Sequence, residues 1–184
     1  MSKLLNKIVR AIPLYLKLYL HGVKFGARVG GNNINITNKG SITIGNHVSL
    51  NSFPNGEMFK VGLFAYFNES SIEIGDRCNL NGTIIFCRKK VVIGNYCMFG
   101  PGVVISDNSS HNSSIDPIIR RTGKIKEAPV IIEDNVWIGR RSIIMKGVRI
   151  GKNSIVTPSS VVIKDIPQNC LFGGNPAKFI KMLH

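Results

Sequence analysis

Acidic side chains and histidines are scarce in this chain: 10 Asp and Glu stand against 24 Lys and Arg, for a formal net charge of +14, and there are 4 histidines. A field of that sign draws anions. Nucleic acid is set aside, because the aromatic residues are not interleaved with basic ones and no nucleic-acid-binding motif occurs; a smaller polyanion fits better. The 4 cysteines, Cys78, Cys87, Cys97 and Cys170, form no CxxC pair, so no metal site is expected and a reducing, cytoplasmic compartment is. The N-terminal segment from Ser2 to Leu20 is apolar but broken by Lys3, Lys7, Arg10, Pro13 and Lys17. Neither a transmembrane span nor a cleavable signal is therefore expected. No linker or low-complexity stretch divides the 184 residues, a length at which one domain buries a core of ordinary size.

What the chain has instead is a period of six. Ile132, Ile138, Ile144, Ile150, Val156 and Val162 follow one another at every sixth position. A helix repeats at 3.6 residues and a strand at two, whereas a coil with three flat faces needs an inward aliphatic at the same place on each face. Glu133, Gly139, Gly151 and Thr157 follow these aliphatics, and Ser142, Val148, Ser154 and Ser160 come four positions after them, where a small or β-branched side chain fills a tight inside corner. The unit recurs upstream at Ile44, Ile74 and Ile93, with Phe25 opening it, and it assigns Cys78 and Cys97 to inside corners.

Three hexads per turn make turns of about 18 residues. The starts at 25, 44, 74, 93, 132 and 150 are separated by 19, 30, 19, 39 and 18 residues. The two long intervals predict loops near 52–70 and 106–130, projecting from a rigid scaffold where sites are usually built. Residues 1–24 read as an N-terminal amphipathic helical segment that caps the solenoid, packs in an oligomer or lies on an anionic membrane face. The coil proper is expected over 25–175, and 176–184 as a short C-terminal helix with Phe179, Ile180 and Leu183 on one side.

The order of four further motifs carries a resemblance. Val136-Trp137-Ile138-Gly139, Gly147-Val148-Arg149-Ile150-Gly151, Lys164-Asp165-Ile166-Pro167 and Gly173-Gly174-Asn175-Pro176-Ala177-Lys178 together resemble the C-terminal half of the hexapeptide-repeat acyltransferases. The chain is similar in particular to sugar O-acetyltransferases of the galactoside, maltose and nodulation-factor type, including those that decorate bacterial surface polysaccharides. The resemblance implies an all-β solenoid, a left-handed parallel β-helix, assembled as a homotrimer with sites between subunits. It implies acetyl-CoA as acyl donor and a sugar or glycan acceptor, with no metal required.

An alcohol is too weakly acidic to attack a thioester at neutral pH without a base, and histidine suits that task. His21 precedes the coil, His47 occupies a variable outward position and His184 is the last residue; His111 alone lies in the long insertion. The resemblance makes His111 the catalytic base, since the family carries its histidine between a Gly-Pro-Gly-Val, here Gly100 to Val103, and the Val-Trp-Ile-Gly. Either Asp107 or Asp116 is a candidate to hold its other nitrogen. By the same resemblance Asn79 and Asn81 face the acceptor sugar and Trp137 lines the groove. Phe86-Cys87-Arg88-Lys89-Lys90 replaces the acidic residues of galactoside-type relatives, which brings an acidic glycan into view. Gly139, Arg140, Pro158, Ser159, Lys164, Asn175, Lys178 and Lys181 are the expected donor-binding set, the lysines serving the phosphates of coenzyme A.

The expected activity is O-acetylation of a sugar or surface-glycan precursor in the cytoplasm, with peripheral contact of the N-terminal helix at the inner membrane face kept open. N-acetylation of an amino sugar or of an antibiotic is the enzymatic alternative. A γ-type carbonic anhydrase would need three histidines converging on zinc. A non-catalytic binding solenoid is the remaining alternative.

Overall fold

The computed structural model describes residues 13–52 and 59–184. Its parallel strands form three sheets, the faces of a triangular coil. Face A carries Lys24–Phe25, Ser41–Ile44, Ser71–Ile74, Lys90–Ile93, Val130–Ile132 and Arg149–Ile150. Face B carries Gly30–Asn32, Ser49–Asn51, Asn79–Asn81, Met98–Phe99, Trp137–Ile138, Ile155–Val156 and Cys170–Gly173. Face C carries Asn35–Asn38, Gly62–Ala65, Ile84–Cys87, Val104–Ser106, Ile143–Ile144 and Val161–Val162. This is the left-handed parallel β-helix that the period of six requires.

The strand register reproduces the expected turn starts. Phe25, Ile44, Ile74, Ile93, Ile132 and Ile150 pair in one row along face A, and Ile166 extends that row through an isolated bridge to Ile150. Leu50, Leu80, Phe99, Ile138 and Val156 form the inward row of face B. Leu63, Ile85, Ile105, Ile144 and Val162 form that of face C. All these aliphatics from Ile44 onward are buried, each contributing about 1.5–3 kcal/mol over exposure. The inside corners hold Val48, Cys78, Cys97, Ser142, Val148, Ser154 and Ser160, also buried. The serine hydroxyls there donate to carbonyls of the adjoining turn, Ser142 to Thr157 at 3.0 Å and Ser154 to Pro167 at 2.7 Å, so burying them leaves no polar group unpaired.

Two hexad positions that look free in sequence are constrained. The fourth turns the corner after face A, and in the last turns the corner after face B, in the left-handed conformation: Arg28, His47, Arg77, Tyr96, Asn135, Arg141, Asn153, Ser159 and Asn169 have φ between 56° and 61°. The conformation costs an L-residue roughly 1–2 kcal/mol, offset by amide bonds between turns such as His47 N–H to the Ala27 carbonyl and Arg77 N–H to the Asn46 carbonyl, both 2.8 Å. At the third position, where face A turns into face B, Asn46, Asp76, Asn95 and Asp134 stack. Their side-chain oxygens accept the backbone N–H groups of Ala27, Asn46, Asp76 and Asn95 at 2.7–2.9 Å.

Two expectations about the elements change. The segment near 52–70 is not one loop: Gly62–Ala65 is a face C strand, followed by a turn at 66–70, while residues 53–58 lie outside the described residues. The stretch 176–184 is not a helix. Lys178–Met182 is a strand antiparallel to Cys170–Gly173, because an exposed sheet edge offers Lys178–Met182 backbone partners that an isolated short helix lacks. Of the N-terminal amphipathic segment, residues 1–12 lie outside the described residues; residues 13–20 are helical. That helix buries Leu14 and Leu18 against the first turn. No helix among the described residues is long and apolar enough to cross a membrane.

Candidate active site

The long insertion leaves face C after Ser106 and returns at Val130. Its base is a two-stranded stalk: Asn108 bridges Glu127, Ser109 N–H donates to the Lys126 carbonyl at 3.1 Å, and Ala128 N–H donates to the Asp107 carbonyl at 2.9 Å. Two asparagines brace it. Asn108 Oδ1 accepts the Ser110 N–H at 2.9 Å, and the Asn112 side chain donates to the Lys124 carbonyl at 2.7 Å while accepting the Ser114 N–H at 2.9 Å. At the tip, Pro117–Thr122 is a short helix that the period of six does not announce.

His111 stands between the two bracing asparagines, its backbone N–H donating to the Ser109 carbonyl at 2.6 Å. It is exposed, and no hydrogen-bond partner of its imidazole occurs among the described residues. Neither carboxylate expected to orient it does so. Asp107 is completely buried. Its oxygens accept the N–H groups of Arg88 at 2.9 Å, Lys89 at 2.6 Å and Lys90 at 2.8 Å, and the Asn108 amide at 3.1 Å. Burial, then the negative charge of Asp107, push the neighbouring Cys87 thiol up to about 12. Asp116 is the N-cap of the loop helix, accepting Ile118 N–H at 2.7 Å and Ile119 N–H at 3.1 Å. Both are therefore structural acceptors, one anchoring the insertion and the other starting its helix.

The expected acceptor residues gather on face B. Asn79, Met98 and Trp137 pair in one outward row, with Met98 and Trp137 about half exposed. Asn79 Oδ1 is enclosed and has no hydrogen-bond partner among the described residues. Asn81 instead turns along the coil and donates to the Phe99 carbonyl at 3.2 Å.

Most of the expected donor-binding set lies along the corner between faces B and C. Gly139 packs so closely on the next turn that a Cβ there would lie 2.5 Å from Pro158 N. Ser159 N–H donates to the Arg140 carbonyl at 2.8 Å, and Val161 N–H donates to the Gly174 carbonyl at 2.9 Å, beside Asn175. Lys178 and Lys181 continue from this corner on the last strand, opposite Gly173 and Leu171. Lys164 does not join them. It follows Val161–Val162 on the corner between faces C and A, the other edge of face C, because a face separates hexad corners that sequence places only a few residues apart.

Sequence reasoning passes over one feature. Phe64 and Phe86 are partners in an outward row of face C. Their rings lie nearly parallel, 5.5 Å apart, and Tyr66 joins them at 5.9 Å and 6.4 Å. The next rung of the row is Ser106. Burial raises the Tyr66 phenol above its ordinary value. Spacing hides the match, because the turn at 66–70 carries extra residues and a count back from Ile74 and Ile93 would pair Phe67, not Phe64, with Phe86.

A parallel β-helix with a histidine-bearing insertion defines the class. The bacterial transferase hexapeptide model, of six repeats, matches residues 129–164, the stretch whose aliphatics run from Ile132 to Val162. The chain is 37% identical to the galactoside O-acetyltransferase of Lactococcus lactis over 118 residues, 64% of this chain and 49% of that protein. The chain spans about half the length of the curated relatives it matches. Among solved structures, it resembles a hexapeptide-repeat-containing acetyltransferase from Vibrio cholerae with a TM-score of 0.67 and 25% identity, over 95% of this chain and 81% of that one. It resembles a maltose O-acetyltransferase from Clostridium difficile with a TM-score of 0.53 and 28% identity, over 91% of this chain and 73% of that one. Over residues 129–164 the chain is thus similar to the hexapeptide-repeat transferases, and its fold resembles theirs along most of its length.

Proposed function

We propose that the protein is an acetyl-CoA-dependent O-acetyltransferase acting on a sugar or a cell-surface glycan precursor, with His111 as general base. The carrying observation is His111 itself: a stalk and two side-chain braces fix the loop around an exposed imidazole. Relatives named galactoside and maltose O-acetyltransferases support the acyl and acceptor classes.

In the proposed reaction the acceptor hydroxyl oxygen bonds to the thioester carbonyl carbon while its proton passes to the His111 imidazole. Backbone N–H groups of a facing turn stabilise the tetrahedral oxyanion. The C–S bond then breaks, the imidazolium returns the proton to sulfur, and an O-acetyl sugar and coenzyme A leave. The cations Arg140, Lys178 and Lys181 suit the phosphates of the donor. The orienting acceptor for His111, lacking in the described residues of one subunit, would come from a second subunit. Two outward apolar rows flanking the B–C corner favour a trimer: Met98, Trp137, Ile155 and Leu171 on face B, and Ile84, Val104, Ile143 and Val161 on face C.

The test is His111→Ala, assayed by thiol release from acetyl-CoA with a panel of sugars and lipid-linked glycans. Turnover should fall by roughly two to four orders of magnitude with donor affinity preserved. Near-normal turnover on the accepted sugar would remove His111 from the mechanism.

A further inference from the structure

The aromatic row on face C stops one rung short of the insertion. Phe64 pairs with Phe86 and Phe86 with Ser106, and Asp107, next in the chain, is pinned by the amides of residues 88–90. The Ser106 hydroxyl is turned to the Asn108 carbonyl at 3.0 Å. The Ser106 rung is thus a fixed position with a short side chain, between a column of rings and the base of the loop that carries His111.

The surroundings carry positive charge. A groove of about 550 Å³ is lined by Lys39, Tyr66, Phe67 and Arg88, among others. A groove of about 950 Å³ shares Arg88 and runs beneath the returning strand of the stalk, past Lys89, Lys124, Lys126 and Lys146. Glu69 and Glu127 are the acidic residues of both linings, so among the described residues six cations face two carboxylates. Arg88 is held in place, its guanidinium 4.2 Å from the Phe67 ring centroid and 3.2 Å from Glu127. Among the described residues, no carboxylate forms an ion pair with Lys39, Lys89, Lys124, Lys126 or Lys146.

We propose that this surface selects an anionic glycan as the acceptor. One sugar ring continues the aromatic column at the Ser106 rung, against Phe86, and the acidic groups of the chain lie along the lysine-lined groove. The negative face of an aromatic ring attracts the partly positive C–H edge of a pyranose, and both bury apolar surface. Acidic substituents on alternate residues need spaced point charges, which lysines supply. A neutral sugar could use the column but gains nothing from the groove. The inference rests on the acetyltransferase reading and adds the charge class of its acceptor.

The test is calorimetric titration of the full-length protein with a galacturonic-acid oligosaccharide and with a maltose-series oligosaccharide of equal length, at low and high salt. The acidic chain should bind at least roughly tenfold tighter at low salt, and the advantage should shrink as salt screens it. Lys89→Glu with Lys126→Glu, exposed positions that support no turn, should abolish the advantage. Phe86→Leu, which keeps apolar volume, should weaken both sugars by roughly threefold to tenfold, and Phe86→Trp should not. Equal binding of the two sugars, or indifference to the lysine reversals, overturns the inference. Thiol release is read in parallel: turnover restricted to neutral acceptors overturns it while the enzyme reading stands. Salt-dependent acidic binding that the lysine reversals abolish, with no thiol release on any acceptor, upholds the groove while the enzyme reading falls.

Discussion

The Asp107 carboxylate accepts the backbone N–H of Lys89 at 2.6 Å, tying the start of the long insertion to the preceding turn of the coil. The same carboxylate takes the amides of Arg88 and Lys90, so a residue beside the candidate base serves as the anchor of its loop.

Asp107→Ala leaves three backbone donors at an inside corner without their acceptor. The expected loss of stability is about 3 kcal/mol or more, from unpaired buried groups, read as a lower urea midpoint with an unchanged slope. A loss below about 1 kcal/mol would mean that water replaces the carboxylate and that the anchor is dispensable.

The acid limb of stability should depend on Asp76. Hydrogen bonds from the Asn46 backbone, then from its side chain, hold the Asp76 carboxyl below the ordinary value of 3.8. A lowered folded pKa means that the unfolded chain takes up the proton first, so the contribution is complete above the ordinary value and disappears as pH falls through the folded one. Thermal melting of wild type and Asp76→Asn should therefore differ in pH dependence below about pH 4 and run parallel above it. Parallel curves throughout would show that Asp76 does not link this corner to protons.

Gly139→Ala probes the corner that the donor-binding proposal uses. The added methyl would meet the backbone of Pro158, with its N at 2.5 Å and its Cα at 2.8 Å, and neither atom belongs to a flexible side chain. Overpacking of that kind costs roughly 1–3 kcal/mol. The variant should melt lower while the corresponding change at Gly30, where a Cβ meets nothing within 4 Å, should not. Equal melting of the two variants would mean that successive turns are not stacked tightly at this corner.

Much of the coil was legible because its rule is local. An inward aliphatic every six residues, with a small residue at the corner, sets the register of each turn, and the pairing of Ile44, Ile74, Ile93, Ile132 and Ile150 follows that count. The tail was misread for the same reason. Phe179, Ile180 and Leu183 satisfy a helical pattern, but Lys178–Met182 lies at a sheet edge that supplies its backbone partners, and no local pattern records that edge.

The sequence by itself determined the three-faced coil, the two places where the chain leaves it and the lone histidine in the longer departure, because each depends on spacing along the chain. Only the tertiary structure decided what the residues around that histidine do. It drew Asp107 into the amides of residues 88–90, spent Asp116 on a helix cap, set Lys164 across face C from the other cations and lined up Phe64, Phe86 and Ser106. Side chains one turn apart are a strand spacing apart in space and about eighteen residues or more apart in sequence, so their partnerships exist only once the coil has closed.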